Sequence, residues 1–294
     1  MYDLPSENPE EAGLPDEFHD LQPQLLSRTL QLSGYTGKNY FTASDLNLYY
    51  DVNHPLWYKR PDWFLAINVP RLYDGKDLRR SYVTWQEGKS PYVAIEFLSP
   101  GTEVEDLGRF HNQTSEVVID ESGTRAVNPT SNGSEATATK PPAKLEVYEQ
   151  YLRIPHYFVY SRYTQKLRYF KLEGGQYQEQ SLNRENAIAW LGDLEIGLGI
   201  WEGVFENVPG YWLRWCDRAG NWLLTDTEQE RAAKEQECAA KEQERAAKEQ
   251  ERAAKEQAEA QLITAAQSLL ETGMEIEQVA QLLGLSQGQL KALQ

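Results

Sequence analysis

The chain has 294 residues and carries 45 acidic against 29 basic side chains, a formal net charge of −16. This charge excludes a broad basic footprint for nucleic acid, so any contact with phosphate has to be local or carried by a metal. A 40% apolar fraction allows a substantial buried core, while only two cysteines, Cys216 and Cys238, exclude a disulfide framework or a cysteine-built zinc site.

The first residues, MYDLPSENPEEAGLPDEF, are acidic and proline-rich where a targeting segment would be basic and then apolar. No run approaches the roughly 18 apolar residues of a membrane span, so a cytoplasmic protein without membrane contact is expected. Residues 1–13 read as a flexible N-terminus ahead of a domain spanning 14–226. Within that domain, residues 21–33 place Leu25, Leu26 and Leu30 behind Pro23, a proline suited to a first helical turn, which predicts a helix ending near Gly34. The segments 46–52, 63–69, 81–86 and 92–99 are short, rich in β-branched and aromatic residues and bounded by Pro, Gly and Asp, and read as strands. Residues 111–143 lack periodicity and are dominated by Ser, Thr, Asn, Gly and Pro, the composition of a disordered insertion. LEVYEQYL (145–152) reads as helix, 157–162 and 167–172 as strands, and GGQYQEQSL as a turn and a further strand. Helix, strands, helix, strands is an α+β order built on a central sheet.

Every Trp and Tyr precedes Thr227. Beyond it, residues 228–260 repeat ERAAKEQ with a seven-residue period, which predicts a charged helix with Glu four positions before Lys. The small positions of each heptad are alanines, so a solvated single helix and a weak alanine-seamed coiled coil both fit. Residues 261–294 regain apolar periodicity, with breaks at Gly273 and Gly284 and a candidate N-cap at Ser286. This small helical terminus is helix-turn-helix-like, but Lys291 is its single cation, which favours a helical hairpin packed on a partner chain over a DNA reader.

Two acids occupy unusual places. Asp62 stands at the entrance of the apolar run 63–69, and Glu96 interrupts YVAIEFL at its middle. Alternation places Glu96 on the face of Ala94 and Leu98, opposite Val93, Ile95 and Phe97. A carboxylate there is desolvated unless a cation or a proton meets it. Paired with Asp62 it could form a divalent-metal site suited to phosphodiester hydrolysis. Taken alone, Asp62 reads better as a turn or capping residue, and Glu96 has the alternative of an ion pair with a nearby Lys or Arg; neither residue decides the matter singly. The four histidines, at 19, 54, 111 and 156, show no metal-ligand spacing, and there is no phosphate-binding glycine loop.

The ordered set Pro61-Asp62, then Glu96-Phe97-Leu98-Ser99-Pro100-Gly101-Thr102 with Asp106, then Lys144 with Tyr148 and Tyr151, then Ile154-Pro155-His156-Tyr157-Phe158, resembles the Uma-type restriction-endonuclease family. That family, expanded in cyanobacteria, belongs to the PD-(D/E)XK nuclease superfamily. Glu17, His19, Leu21 and Gln22 also match the start of its first helix. The resemblance implies a restriction-endonuclease-like central mixed sheet flanked by helices, followed by a long charged helix and a small helical hairpin. It further implies a magnesium-dependent endonuclease acting on DNA, with Asp62 and Glu96 as the metal ligands. The superfamily's lysine, usually two residues after the acid, is absent because that position is Leu98. In this family it has moved to the following helix, where Lys144 stands and Lys140 competes. Glu17 corresponds to an acid on the first helix. A homodimer through the heptad helix would let two domains cut both strands. The alternative is a nuclease fold without catalysis that acts as a binding or scaffold module through its helical tail.

Overall fold

Asp16 starts the first helix: its carboxylate accepts from the His19 N–H at 3.1 Å, and α1 runs Glu17–Thr29. The computed structural model describes residues 16–99, 101–111, 140–182, 187–286 and 288–289. After α1 come β1 (Tyr40–Ala43), β2 (Leu48–Tyr49), β3 (Tyr58–Lys59), β4 (Trp63–Ile67), β5 (Tyr82–Val83), α2 (Thr84–Glu87), β6 (Val93–Phe97) and α3 (Glu103–Leu107). Then α4 (Lys144–Glu146) continues as a π-turn over Val147–Tyr151, followed by β7 (His156–Ser161), β8 (Lys166–Glu173) and β9 (Gln176–Gln180). The chain closes with β10 (Ala189–Leu191), β11 (Ile196–Phe205), β12 (Val208–Cys216), α5 (Asp226–Glu271) and α6 (Ile276–Leu283).

The central sheet has the order β1-β4-β6-β7-β8-β9, with β6 and β7 parallel and the other neighbours antiparallel. This is the mixed α+β, restriction-endonuclease-like sheet that the resemblance implied. Both faces are covered. Trp63, Leu65, Val93, Ile95 and Phe97 point to one side and pack with Leu25 and Leu26 of α1 and with the antiparallel sheet β10-β11-β12. Phe64, Ala66, Ala94, Tyr157 and Val159 point to the other and pack with Leu107, Leu145 and Tyr148. Each large side chain so buried contributes about 1.5–3 kcal/mol.

Several sequence expectations are corrected. The first helix begins at Glu17, not at residue 21, because Asp16 supplies the cap, and Pro23 lies inside it. Burial of Phe18, Leu25 and Leu26 offsets the missing donor, and the Gln22 side chain exchanges two hydrogen bonds with the Leu213 backbone, at 2.8 and 2.7 Å, tying α1 to β12. The stretch 46–52 contributes only Leu48–Tyr49 to a strand. The stretch 81–86 splits into β5 and α2, because Gly88 takes φ 68° and closes a helical turn by donating to the Thr84 carbonyl. Residues 145–152 wind partly as π-helix, with the Leu152 N–H bonded to the Val147 carbonyl. Strand β1 and the whole sheet β10-β11-β12 went unrecognised. Glycines at 197, 199, 203 and 210 lower the strand signal there, yet at Gly203 a Cβ would fall 2.0 Å from the Trp201 ring that lies over it. Residues 1–13 and 112–139 of the expected insertion lie outside the described residues.

The chain divides into two compact units, one ending at Asp226 and one starting at Thr227. In the second, α5 runs unbroken past residue 260 to Glu271, with every residue from 233 to 261 exposed. Glu237–Lys241, Glu244–Lys248 and Glu251–Lys255 pair at 2.6, 2.6 and 2.8 Å. Ala266 of α5 and Val279 of α6 are fully buried, and α6 ends where Gly284 takes φ 61°. Lys291 lies outside the described residues. Among the described residues no helix is long and apolar enough to cross a membrane.

Candidate active site

Strands β4 and β6 pair with Trp63 opposite Ile95, which sets Asp62, one residue earlier, beside Glu96, one residue later. The Phe97 N–H donates to Asp62 Oδ2 at 2.6 Å, and the Asp62 N–H points at Glu96 Oε2 at 3.4 Å. Glu96 is fully buried on the sheet face that carries Ala94. The helix beginning at Lys144 covers that face, and its i, i+4 pair meets both carboxylate oxygens: Lys144 Nζ lies 2.9 Å from Oε2, and the Tyr148 hydroxyl donates to Oε1 at 2.6 Å. The π-turn that carries Tyr148 widens the helix beside this contact.

A third acid joins them. Asp106 of α3 is buried, and Lys144 Nζ lies 3.2 Å from its Oδ1 in an ion pair too poorly aligned to count as a hydrogen bond. The Tyr157 hydroxyl donates to the Asp106 carbonyl at 2.9 Å and pins the short helix to β7. Three carboxylates therefore face one ammonium. Burial pushes the Glu96 carboxyl up to about 7 against the pull of Lys144, and the Asp62 charge adds to the rise. Burial likewise lifts Asp106 to about 6 and raises Asp62, both opposed by Lys144. For Lys144, burial alone would lower the amine's proton affinity, but Glu96, Asp106 and Asp62 together raise it well above the ordinary value.

Asp62, Asp106 and Lys144 open onto a cavity of about 360 Å³ that is also lined by His19, Ser99 and Arg60. His19 Nδ1 contacts Asp16 Oδ1 at 2.7 Å, while its Nε2 lies 3.3 Å from the Phe97 carbonyl oxygen. Asp62, Glu96 and Lys144 are thus brought together; Glu17 is not. It is exposed and lines a separate cavity with Arg162 and Trp212. Lys140 is exposed. Sequence reasoning gave no site role to Asp106, Tyr148 or His19, although all three stood in the matched motifs. The unassigned acid within the motif and the four-residue step from Lys144 to Tyr148 were the available signals.

The donor chemistry fits a hard divalent cation. All three acids offer oxygen ligands, and Asp106 Oδ1 is a buried acceptor without a hydrogen-bond partner among the described residues. No three His, Cys, Asp or Glu side chains among the described residues converge into a ready cage, and Lys144 stands between Glu96 and Asp106.

A comparison with curated proteins returns no match. The model of the Uma2 family, described as "Putative restriction endonuclease", matches residues 1–200, a stretch that holds the whole central sheet and all four members of the acid–lysine cluster, and the chain belongs to that family.

Proposed function

We propose that the chain hydrolyses DNA phosphodiester bonds with magnesium, using Asp62 and Glu96 to hold the metal and Lys144 to position the attacking water. The observation that carries this reading is the grip on Glu96: a mid-strand carboxylate at 0% exposure, held at one oxygen by Lys144 and at the other by Tyr148, with Asp62 alongside. A purely structural core has little use for a buried acid so costly to desolvate.

Magnesium, when bound, supplies Lewis acidity toward a phosphodiester oxygen and acidifies water. The protein's own groups do the rest. The carboxylates around Lys144 keep its amine protonated, so it works as a donor and a fixed cation. It orients the water whose oxygen joins phosphorus and offsets the charge that builds on the phosphate oxygens as the ester oxygen leaves with a proton. The Phe97 N–H fixes Asp62, and Tyr148 fixes Glu96, so neither carboxylate has to reorganise. A divalent cation also reverses the local field of an acidic cleft, which lets a chain of net charge −16 approach phosphate there.

The scaffold alternative expects the two acids apart or Lys144 turned to solvent, whereas Lys144 Nζ lies 2.9 Å from Glu96. The test is cleavage of duplex DNA with magnesium by the wild type and by Glu96→Ala. The variant is expected to lose cleavage, and equal activity in the two would remove Glu96 from the mechanism.

A further inference from the structure

A second cavity, also about 360 Å³, takes Glu17, Phe18 and Leu21 from α1, whereas the acidic cleft takes His19 and Asp20 from the same helix. Its walls are aromatic. Phe18 stacks on Trp212 with ring centroids 5.4 Å apart, and Tyr163 and Tyr211 line the mouth at 62% and 39% exposure. Trp212 is 3% exposed, yet its indole N–H has no acceptor among the described residues. A Cβ on Gly210, which lines the same cavity, would meet that nitrogen at 3.2 Å, so the indole N–H edge lies beside the open glycine backbone. A buried donor left unpaired is rare and costly, and calls for an acceptor from outside.

Charge points the same way. The Arg162 guanidinium lies over the rings of Phe18 and Tyr163, at 5.4 and 4.9 Å from their centroids. It also pairs with Asp16 at 2.8 Å, and Asp16 in turn holds His19 of the acidic cleft at 2.7 Å. The two cavities are thus joined through the Arg162–Asp16–His19 chain at the start of α1.

We propose that this aromatic cavity receives an unpaired nucleobase of the strand that crosses the acidic cleft, an assignment that rests on the nuclease reading. A base offers what the cavity lacks: a flat π-face for Tyr163 and Tyr211, an edge acceptor for the Trp212 N–H, and an adjoining phosphate for Arg162. Glu17 at the rim can accept from an exocyclic amine, which gives this acid a place outside the metal cleft.

The experiment uses the full chain, with divalent metal chelated to prevent cleavage, and a single-stranded oligonucleotide carrying 2-aminopurine. The probe fluorescence is expected to be quenched on binding, more than for the same probe paired in a duplex. Tyr163→Ala/Tyr211→Ala, at two exposed positions, is expected to weaken binding about tenfold or more and to relieve the quenching. Trp212→Phe, which keeps the ring and removes the N–H, is expected to weaken binding less. Absent quenching, or affinity and quenching unchanged in the double variant, overturns the proposal, as does a wild-type dimer that Tyr211→Ala dissociates. Magnesium-dependent plasmid nicking on the same preparations separates the two readings. Nicking without a base response overturns the cavity assignment alone, and a base response without nicking supports the cavity while overturning the nuclease reading.

Discussion

Lys144 Nζ lies 2.9 Å from Glu96 Oε2 and 3.2 Å from Asp106 Oδ1, so one ammonium compensates two carboxylates that burial has taken out of water. With Asp62 included, three acids face one cation. The uncompensated remainder equals the charge of one divalent ion, and burial, with the charge of the neighbouring acids added, pushes all three carboxyls above their ordinary values.

Lys144→Met removes the cation and leaves the acids unpaired. Breaking a buried pair from one side costs about 3–5 kcal/mol, so a loss of that order is expected in denaturant unfolding near neutral pH, together with loss of cleavage. An unchanged midpoint would mean that Lys144 carries no charge compensation in the folded protein.

Magnesium should stabilise the wild type by mass action. At ten times its dissociation constant the gain is about 1.4 kcal/mol, read as a rise in thermal midpoint. Glu96→Ala is expected to show little of it, and an equal rise in both proteins would place the ion elsewhere.

The pH dependence of stability has a definite sign. Glu96 is raised to about 7 and Asp106 to about 6, so between about 4 and 7 the folded chain holds protons that the unfolded chain releases. Unfolding then releases protons, and this contribution to stability falls as pH rises through the window. Asp62 is raised as well and acts with the same sign; Glu96→Gln removes one of these titrations, so metal-free variant and wild type should diverge with rising pH, the wild type losing more. Asp16, Glu149 and Asp193 are lowered by their partners and act with the opposite sign at lower pH; being common to both proteins, they cancel. Parallel curves from pH-stepped denaturant melts would contradict the assignment.

How much of this was legible follows from where each residue sits. Glu96 stood out because a strand alternates, and an acid within an apolar run has to land on a covered face. Asp62 followed from its place at the entrance of a neighbouring strand. Asp106 did not, because EVEDL forms a five-residue helix in which acids are ordinary. His19 was passed over for its sequence spacing, whereas its site contacts are with Phe97 and Ser99, about eighty positions away. Sheet β10-β11-β12 was hidden by glycines whose purpose exists only after folding: room for the Trp201 ring at Gly203, for Cys216 and Ile188 at Gly197, and for Ile188 at Gly199. The π-turn at 147–151 has no periodic signature either, since it shifts the helix by one residue over a single turn.

Tyr148→Phe isolates the second grip on Glu96. The hydroxyl donates to Oε1 at 2.6 Å inside the core, and its loss leaves a buried acceptor short of a partner, at a cost of about 1–3 kcal/mol. The remaining carboxyl should titrate higher, because the tyrosine bond favours the charged form. A positioning role therefore predicts reduced cleavage with a pH profile displaced to the alkaline side. A merely structural role would lower stability and leave the profile in place.

Truncation after Asp226 tests whether the first unit is sufficient. The central sheet, sheet β10-β11-β12, the acid–lysine cluster and the two packed cores lie before that point, and the family match ends at residue 200. The truncated chain is expected to keep its near-ultraviolet dichroism and its magnesium-dependent cleavage, and to lose the helical signal of α5. Light scattering on the same pair reads the role of the heptads. Between charged residues their exposed faces offer alanines, glutamines and the exposed Cys238, a weak seam, so any dimer of the full chain that survives truncation has its interface in the sheet domain. One that dissociates has it in α5 or α6.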